Sequence, residues 1–257
     1  MRELFLSEFR RVWILFKRYP GEAVTILIIF SVIFLGLFLG TKWVAGPSAQ
    51  FGERLDAIIV GYILWTLTLY ALSSMGWGIQ LEAQTGTLEQ VCLSPHGPVK
   101  VFLVRAVAEL LLHLLLAGCV FGVVLLISGR SLNFTPWILL PILTVMMGTY
   151  GLGLVLAGMA MVLKRIQNAL ELSQFILLFL VMTPVETWPQ PWNALGYLLP
   201  MTPGSALMRN LMAARTGFSV ELFAGAVVNG VVYLSLGITF FLWAERKAKQ
   251  RGLLAGY

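Results

Sequence analysis

The chain has 257 residues, of which 58% are hydrophobic and only 12% are charged, and its mean hydropathy is +0.85. A soluble domain carries roughly 25% charged residues, so this composition excludes an ordinary soluble protein and predicts a membrane protein. The net charge of +6 does not indicate nucleic-acid binding, because the sidedness of charge matters more than its total in a membrane protein.

The first predicted element is an amphipathic interfacial helix within residues 1–21. Its apolar side chains share one helical face, and most of its charged side chains lie on the other face. Such a helix lies flat in the inner interface, although its positive charge alone would also anchor the first span. Pro20 and Gly21 supply the bend into that span. The apolar face consists of Phe5, Phe9, Val12, Trp13 and Phe16.

Six apolar runs predict six transmembrane helices, because about 20 residues cross a bilayer core of about 30 Å. Strands of a membrane barrel need only roughly ten residues, so helices are the expected spanning structure. We therefore expect one all-α membrane domain over residues 1–257, whose fifth span is short because Pro184 follows it. The predicted spans are 23–41, 57–79, 104–127, 137–163, 169–184 and 220–243.

The distribution of Lys and Arg predicts the orientation of these spans. Thirteen of the 18 basic residues fall on the side that holds both termini, and five fall on the other. The positive-inside rule places both termini and the loop between the second and third spans in the cytoplasm.

That loop contains a polar segment, residues 82–95, between two spans. Thr87 to Leu93 is predicted to form a short helix, with Thr87 as its N-cap and Gln90 as the capping-box partner. Glu82 and Glu89 are expected to face outward, free to meet a basic groove on a soluble partner.

Charged and polar residues also fall within the predicted spans. Arg105, Glu109 and His113 share one face of the third span, and intramembrane ionisable residues are functional candidates. Pairing of Arg105 with Glu109 is the simplest interpretation; contact with a partner subunit or gate and a proton relay are the alternatives. Glu171 and Gln174 follow Gln167 as a polar stripe at the start of the fifth span, either at a cavity mouth or at a solvated helix end. The glycines and alanines of the fourth span predict close helix packing.

The external segment 185–219 is rich in proline, which prevents a spanning helix. We expect a short external or partly re-entrant helical pair there, including a helix over residues 205–214.

Two strings carry a family resemblance. Thr-Gly-Thr-Leu-Glu-Gln-Val-Cys-Leu-Ser-Pro, residues 85–95, resembles the cytoplasmic stretch between spans two and three of ABC-2 transport permeases. Tyr-Leu-Leu-Pro-Met-Thr-Pro, residues 197–203, followed by Arg209, resembles the external stretch before the last span of that family. The external motif residues are Pro200, Thr202, Pro203 and Arg209.

The resemblance implies a transport subunit in the cell inner (plasma) membrane that works as a dimer, with a second copy or a sister permease, bound to two ATP-binding cassette subunits. The polar segment would be the coupling helix that docks on the ATPase, and substrate would pass along spans one, two and five. The coupling residues would be Glu82, Thr85, Gly86, Thr87, Leu88, Glu89, Gln90, Ser94 and Pro95, with Lys164 and Arg165 as a lesser contact.

The chain has no Gly-x-x-x-x-Gly-Lys-Ser/Thr string, so it lacks a phosphate-binding loop. No group of residues has metal-ligand spacing. We expect a chain that is no enzyme and holds no cofactor, with ATP and Mg bound to the partner ATPase. The leading function, which the resemblance implies, is export of an amphiphile: a drug, a lipid or a glycoconjugate. One alternative is an ion-coupled secondary transporter that uses Glu109, His113 and Glu171. The other is an intramembrane hydrolase, for which this chain lacks the Gly-x-Ser-x-Gly motif.

Overall fold

The computed structural model describes residues 2–45, 52–95, 97–129, 132–163, 166–214 and 216–251. No strand occurs in these ranges, which confirms the all-α prediction. The helices are α1 (Arg2–Arg18), α2 (Pro20–Ala45), α3 (Gly52–Gln84), α4 (Leu88–Leu93), α5 (Pro98–Ser128), α6 (Leu139–Leu163), α7 (Gln167–Met182), α8 (Trp192–Leu198), α9 (Thr202–Met212) and α10 (Val220–Gln250).

Five helices in the described part of the chain are long and apolar enough to cross a membrane: α2, α3, α5, α6 and α10. They coincide with five of the predicted spans. The remaining predicted span corresponds to α7, which has 16 residues. At 1.5 Å per residue α7 is about 24 Å long, shorter than a bilayer core of about 30 Å. The six-span count therefore stays a prediction.

Several helices extend beyond the apolar runs that predicted them. The third helix continues past residue 79 to Gln84, and α5 begins at Pro98 rather than at 104. Backbone hydrogen bonding continues through polar residues until the chain must turn, which happens at Gly86 with φ +72°. The polar segment therefore comprises the last turn of α3, a tight turn and α4, and the short helix predicted over residues 87–93 is observed as α4.

The centre of the fold is built from α3 and α6. Of their most apolar segments, 61% and 56% of the residues are buried, compared with 17%, 28% and 22% for α2, α5 and α10. The three outer helices thus leave most of their apolar surface uncovered by the chain itself, as expected for surfaces that face lipid or another subunit.

Small residues bring α6 and α10 into backbone contact. A Cβ atom added to Gly237 would lie 2.1 Å from the Gly151 carbonyl oxygen, and one added to Gly151 would lie 2.3 Å from the Tyr233 carbonyl oxygen. Only glycine fits at such a crossing. The close packing predicted for the fourth span is confirmed.

The N-terminal helix α1 packs beside α5. Phe5, Phe9, Trp13 and Phe16 form a continuous row of stacked rings along one face, with centroids 5.8–6.5 Å apart. Val12 is buried against the fold, whereas Trp13 is 40% exposed. The predicted helix is thus confirmed; its position in the interface stays a prediction. The chain enters α2 at Pro20, as expected.

Candidate functional site

The short helix α4 is held to the fold by one face and exposes the other. Leu88 and Cys92, one turn apart, are 2% and 8% exposed. Leu93 is 76% exposed, and Gln90 and Pro95 are also exposed. Leu93, Gln90 and Pro95 thus leave one face of α4 uncovered by the rest of the described chain.

The predicted capping box is wrong. Thr87 occupies the N-cap position of α4, but its side chain makes no cap hydrogen bond. Its hydroxyl instead donates to a Glu82 carboxylate oxygen, and its backbone N–H donates to the Glu82 carbonyl at 2.9 Å. Thr85 lies beside it, with the two hydroxyls 2.9 Å apart. The turn through Gly86 brings these threonines back onto the end of α3.

The prediction that Glu82 faces outward is wrong as well. Its other carboxylate oxygen lies 2.9 Å from Arg105 Nη1 on α5, and its side chain is only 14% exposed. Arg105 Nε lies 3.3 Å from the Glu8 carboxylate on α1. The Arg105 guanidinium therefore joins α1, α3 and α5. Thr87 attaches α4 to this cluster through its hydrogen bond to Glu82. We call Glu8, Glu82, Thr87 and Arg105 the polar clamp.

The polar clamp borders an open cavity of about 320 Å³ that is also lined by Arg11 and Glu109. The ion pairs of Arg105 in the described residues go to Glu8 and Glu82, so the predicted pairing with Glu109 is replaced by contacts with residues distant in sequence. Glu109 also lines a second cavity of about 260 Å³, together with Ser74 and His113. The His113 ring stacks on Tyr70, with centroids 4.9 Å apart.

The polar stripe of α7 lies apart from these cavities. Glu171 is exposed and accepts a hydrogen bond from Gln167 at 3.3 Å. Gln174 donates to the Ser73 hydroxyl on α3 at 3.2 Å, so it links two helices. Glu171 does not line the cavity that contains Glu109 and His113.

The predicted external motif forms a second, buried polar cluster. Arg209 on α9 is 3% exposed and binds the Glu186 carboxylate through two nitrogens, at 2.6 and 2.8 Å. It also donates to the Val181 and Thr183 carbonyls at the end of α7, at 2.7 and 3.1 Å. The guanidinium thereby compensates carbonyls that a helix end leaves without partners.

The helical pair predicted before the last span is confirmed as α8 and α9, although α9 spans Thr202–Met212 rather than residues 205–214. Pro203 lies in the first turn of α9, and the Thr202 hydroxyl donates to the Gly196 carbonyl at 2.6 Å. Pro200 lies in the tight turn between the two helices. Burial, and then the Glu186 carboxylate, raise the pKa of Tyr197 on α8, so its phenol stays protonated at physiological pH.

Three polar residues were not among those predicted: Glu8 and Glu186, which belong to these clusters, and Asn229, which binds the turn between α8 and α9. Glu8 lies within the amphipathic helix and Glu186 within the external segment, where each resembles an ordinary surface charge. Asn229 on α10 donates to the Leu199 carbonyl at 3.0 Å and accepts from the Met201 backbone at 3.2 Å. A single asparagine inside an otherwise apolar run was the one available signal.

Some predicted site residues lie outside the described residues. These are Lys164 and Arg165; for Glu89 the backbone belongs to α4 but the side chain is not described.

A comparison with protein families matched residues 3–213 to the family described as ABC-2 type transporter. That range includes the polar clamp, both cavities and the Arg209 cluster. A search of curated proteins found no match.

Proposed function

The chain belongs to the ABC-2 type transporter family, and from that premise we propose that it is the membrane-spanning permease subunit of an ATP-driven exporter. It would move an amphiphilic substrate out of the cytoplasm or the inner leaflet by alternating access. Energy would come from two ATP-binding cassette subunits that bind ATP and Mg, because the sequence has no phosphate-binding loop of its own.

The observation that carries this proposal is the exposed face of α4. A six-residue helix that buries Leu88 and presents Leu93 suits insertion into a groove of a soluble protein. Its neighbours Glu82, Thr85 and Thr87 are hydrogen-bonded to one another, so α4 and the end of α3 would move together.

The polar clamp offers a route for the ATPase motion into the membrane. A displacement of α4 would move Glu82 through its hydrogen bond to Thr87. The ion pairs of Arg105 would then transmit this movement to α5 and α1. Charge-assisted hydrogen bonds are suited to this role because they are strong and fix the relative orientation of the two groups as well as their separation. Two such permease chains would form the transport path between them, along α2, α3 and α7.

We place α4 and both termini in the cytoplasm, on the positive-inside rule, and the Arg209 cluster on the opposite side. The membrane would be the cell inner (plasma) membrane.

Co-purification with a candidate ATPase tests the proposal. Wild-type chain should bind the ATPase and raise its ATP turnover. Leu93→Glu, Glu89→Arg and deletion of residues 87–93 should each abolish binding or stimulation while membrane insertion stays normal. Thr216→Glu, on an exposed residue outside the helices, is the matched control and should behave as wild type.

Transport that persists in all three α4 variants would refute the coupling role. Transport that follows a proton gradient without any ATPase would favour the ion-coupled alternative instead. That alternative is weakened by the position of Glu171, which lies apart from Glu109 and His113.

A further inference from the structure

The cavity of about 260 Å³ lies where α1 bends into α2 and both helices face α5. Phe16 and Tyr19 line it from the α1–α2 bend, and Glu22 from the first turn of α2. From α5 it is lined by residues 109–116, a stretch about 10 Å long at 1.5 Å per residue. The cavity therefore extends from one end of the α2–α5 pair into the apolar layer between them.

Two carboxylates face this cavity, and its described lining residues include no lysine or arginine. The carboxylates belong to Glu22 and Glu109, which are on different helices. The nearest cation on α5, Arg105, is engaged by Glu8 and Glu82, and Arg11 is engaged by Glu8. Glu109 lies within the apolar run of α5, where a carboxylate is costly unless a positive charge compensates it, whereas Glu22 is exposed at the open end of the cavity.

The remaining walls are aromatic and aliphatic. The rings of Phe16, Tyr19 and His113 line the cavity, and Ile26, Leu112 and Leu116 form its deeper part. The Arg18 guanidinium lies 5.7 Å from the Tyr19 ring centroid, so this ring is already engaged by a cation at the edge of the cavity. Aromatic faces next to carboxylates are the usual surroundings of a bound organic cation.

We propose that this cavity binds the cationic head of a lipophilic ligand, with Glu22 and Glu109 as the counter-charges and the aromatic rings around the head. The volume is close to that of the smallest ligand pockets, about 300 Å³, so it suits one end of an amphiphile. The apolar remainder of the ligand would lie along α2 and α5 in the inner leaflet. The further interpretation of the cavity as a binding site for the exported substrate rests on the proposed export function.

The test is equilibrium binding of tetraphenylphosphonium to the full chain in the non-ionic detergent dodecyl maltoside, which carries no ammonium group. Tetraphenylborate, nearly the same size but negatively charged, is the matched probe. We expect the cation to bind at least about tenfold more tightly than the anion, and Glu109→Gln or Glu22→Gln to weaken cation binding about tenfold. Glu3→Gln, on an exposed residue of α1 away from the cavity, should leave it unchanged.

Equal binding of the two probes, or cation binding that is insensitive to both cavity variants, would overturn the proposal. Unchanged elution in size-exclusion chromatography shows that the variants are folded. Phosphatidylethanolamine, which carries an ammonium head, separates two sources of the ligand. Competition by this lipid identifies a lipid headgroup as the occupant, and its absence identifies a soluble amphiphile.

ATP turnover distinguishes failure of this inference from failure of the proposed function. If an ATPase associates and is stimulated but no cation binds, only the cavity assignment is wrong. If the cation binds but no ATPase associates, the site stands and the proposed energy source is wrong.

Discussion

The guanidinium of Arg105 on α5 donates to the carboxylate of Glu82 on α3, with Nη1 and Oε1 2.9 Å apart, and it reaches Glu8 on α1 at 3.3 Å. All three side chains are at most 14% exposed. The contact therefore joins three helices through largely buried side chains.

Arg105→Gln should destabilise the protein strongly, because it leaves the Glu8 and Glu82 carboxylates uncompensated. Removal of one member of a buried ion pair costs about 3–5 kcal/mol. Thermal unfolding in detergent measures the effect. Arg11→Gln is the control: its side chain is 49% exposed, and such a surface pair contributes at most about 1 kcal/mol. Equal losses in the two variants would contradict the assignment of the clamp.

Thr87→Val should reduce stimulation of the partner ATPase more than it reduces ATPase binding. The substitution preserves shape but removes the hydroxyl that donates to Glu82. A hydrogen bond to a charged group contributes about 1.5–3 kcal/mol, so the attachment of α4 to α3 should loosen. ATP turnover measured against permease concentration separates binding from stimulation. Thr87→Ser retains the hydroxyl and should restore coupling; failure to do so would argue against the hydrogen bond.

Arg209→Lys should lower the unfolding temperature although the charge is preserved. Lysine cannot make the two-nitrogen contact with Glu186 and at the same time reach the Val181 and Thr183 carbonyls. We expect a loss of about 2–4 kcal/mol, in the range for a disrupted buried pair. The exposed Arg54 provides the comparison, and Arg54→Lys should be nearly neutral. A neutral Arg209→Lys would show that the cluster does not hold α9.

Gly237→Ala should disrupt the packing of α6 against α10. The added Cβ would lie 2.1 Å from the Gly151 carbonyl oxygen, so the two helices must separate. Overpacking of this kind costs about 1–3 kcal/mol.

Gly225→Ala, on the same helix, is a matched control with nothing within 4 Å of the added atom. Because alanine favours a helix over glycine by about 1 kcal/mol, this variant should be neutral or slightly more stable. Opposite signs in thermal unfolding are the expected result, and a harmless Gly237→Ala would contradict the close contact.

The orientation of the chain is tested with single cysteines in a background without Cys92 and Cys119. A cysteine at Thr85 should be protected from a membrane-impermeant maleimide in intact cells and labelled in inverted vesicles. A cysteine at Thr216 should show the reverse. The same pattern at both positions would contradict the predicted number of crossings between them.

Prediction from sequence succeeded where a single segment carries the signal. Five apolar runs gave five long helices, and the proline-rich external segment gave the α8–α9 pair. Prediction failed where contacts between neighbouring side chains determine the hydrogen-bond partner. The local rule paired Thr87 with Gln90, but a carboxylate five residues earlier in the chain took the hydroxyl. A hydrogen bond from a hydroxyl to a charged carboxylate is stronger than a neutral one between a backbone N–H and a hydroxyl, so the Thr87 hydroxyl binds Glu82 instead of capping α4.

By itself, the sequence determined that this chain is a helical membrane protein of the ABC-2 family, with a polar turn between its second and third apolar runs. Only the tertiary structure decided what that turn is attached to. Arg105 binds Glu82 across 23 residues and Glu8 across 97, and Glu22 meets Glu109 at one cavity. Periodicity reports which face of a helix is apolar, but partners on other helices follow from how those helices pack, which no local pattern contains.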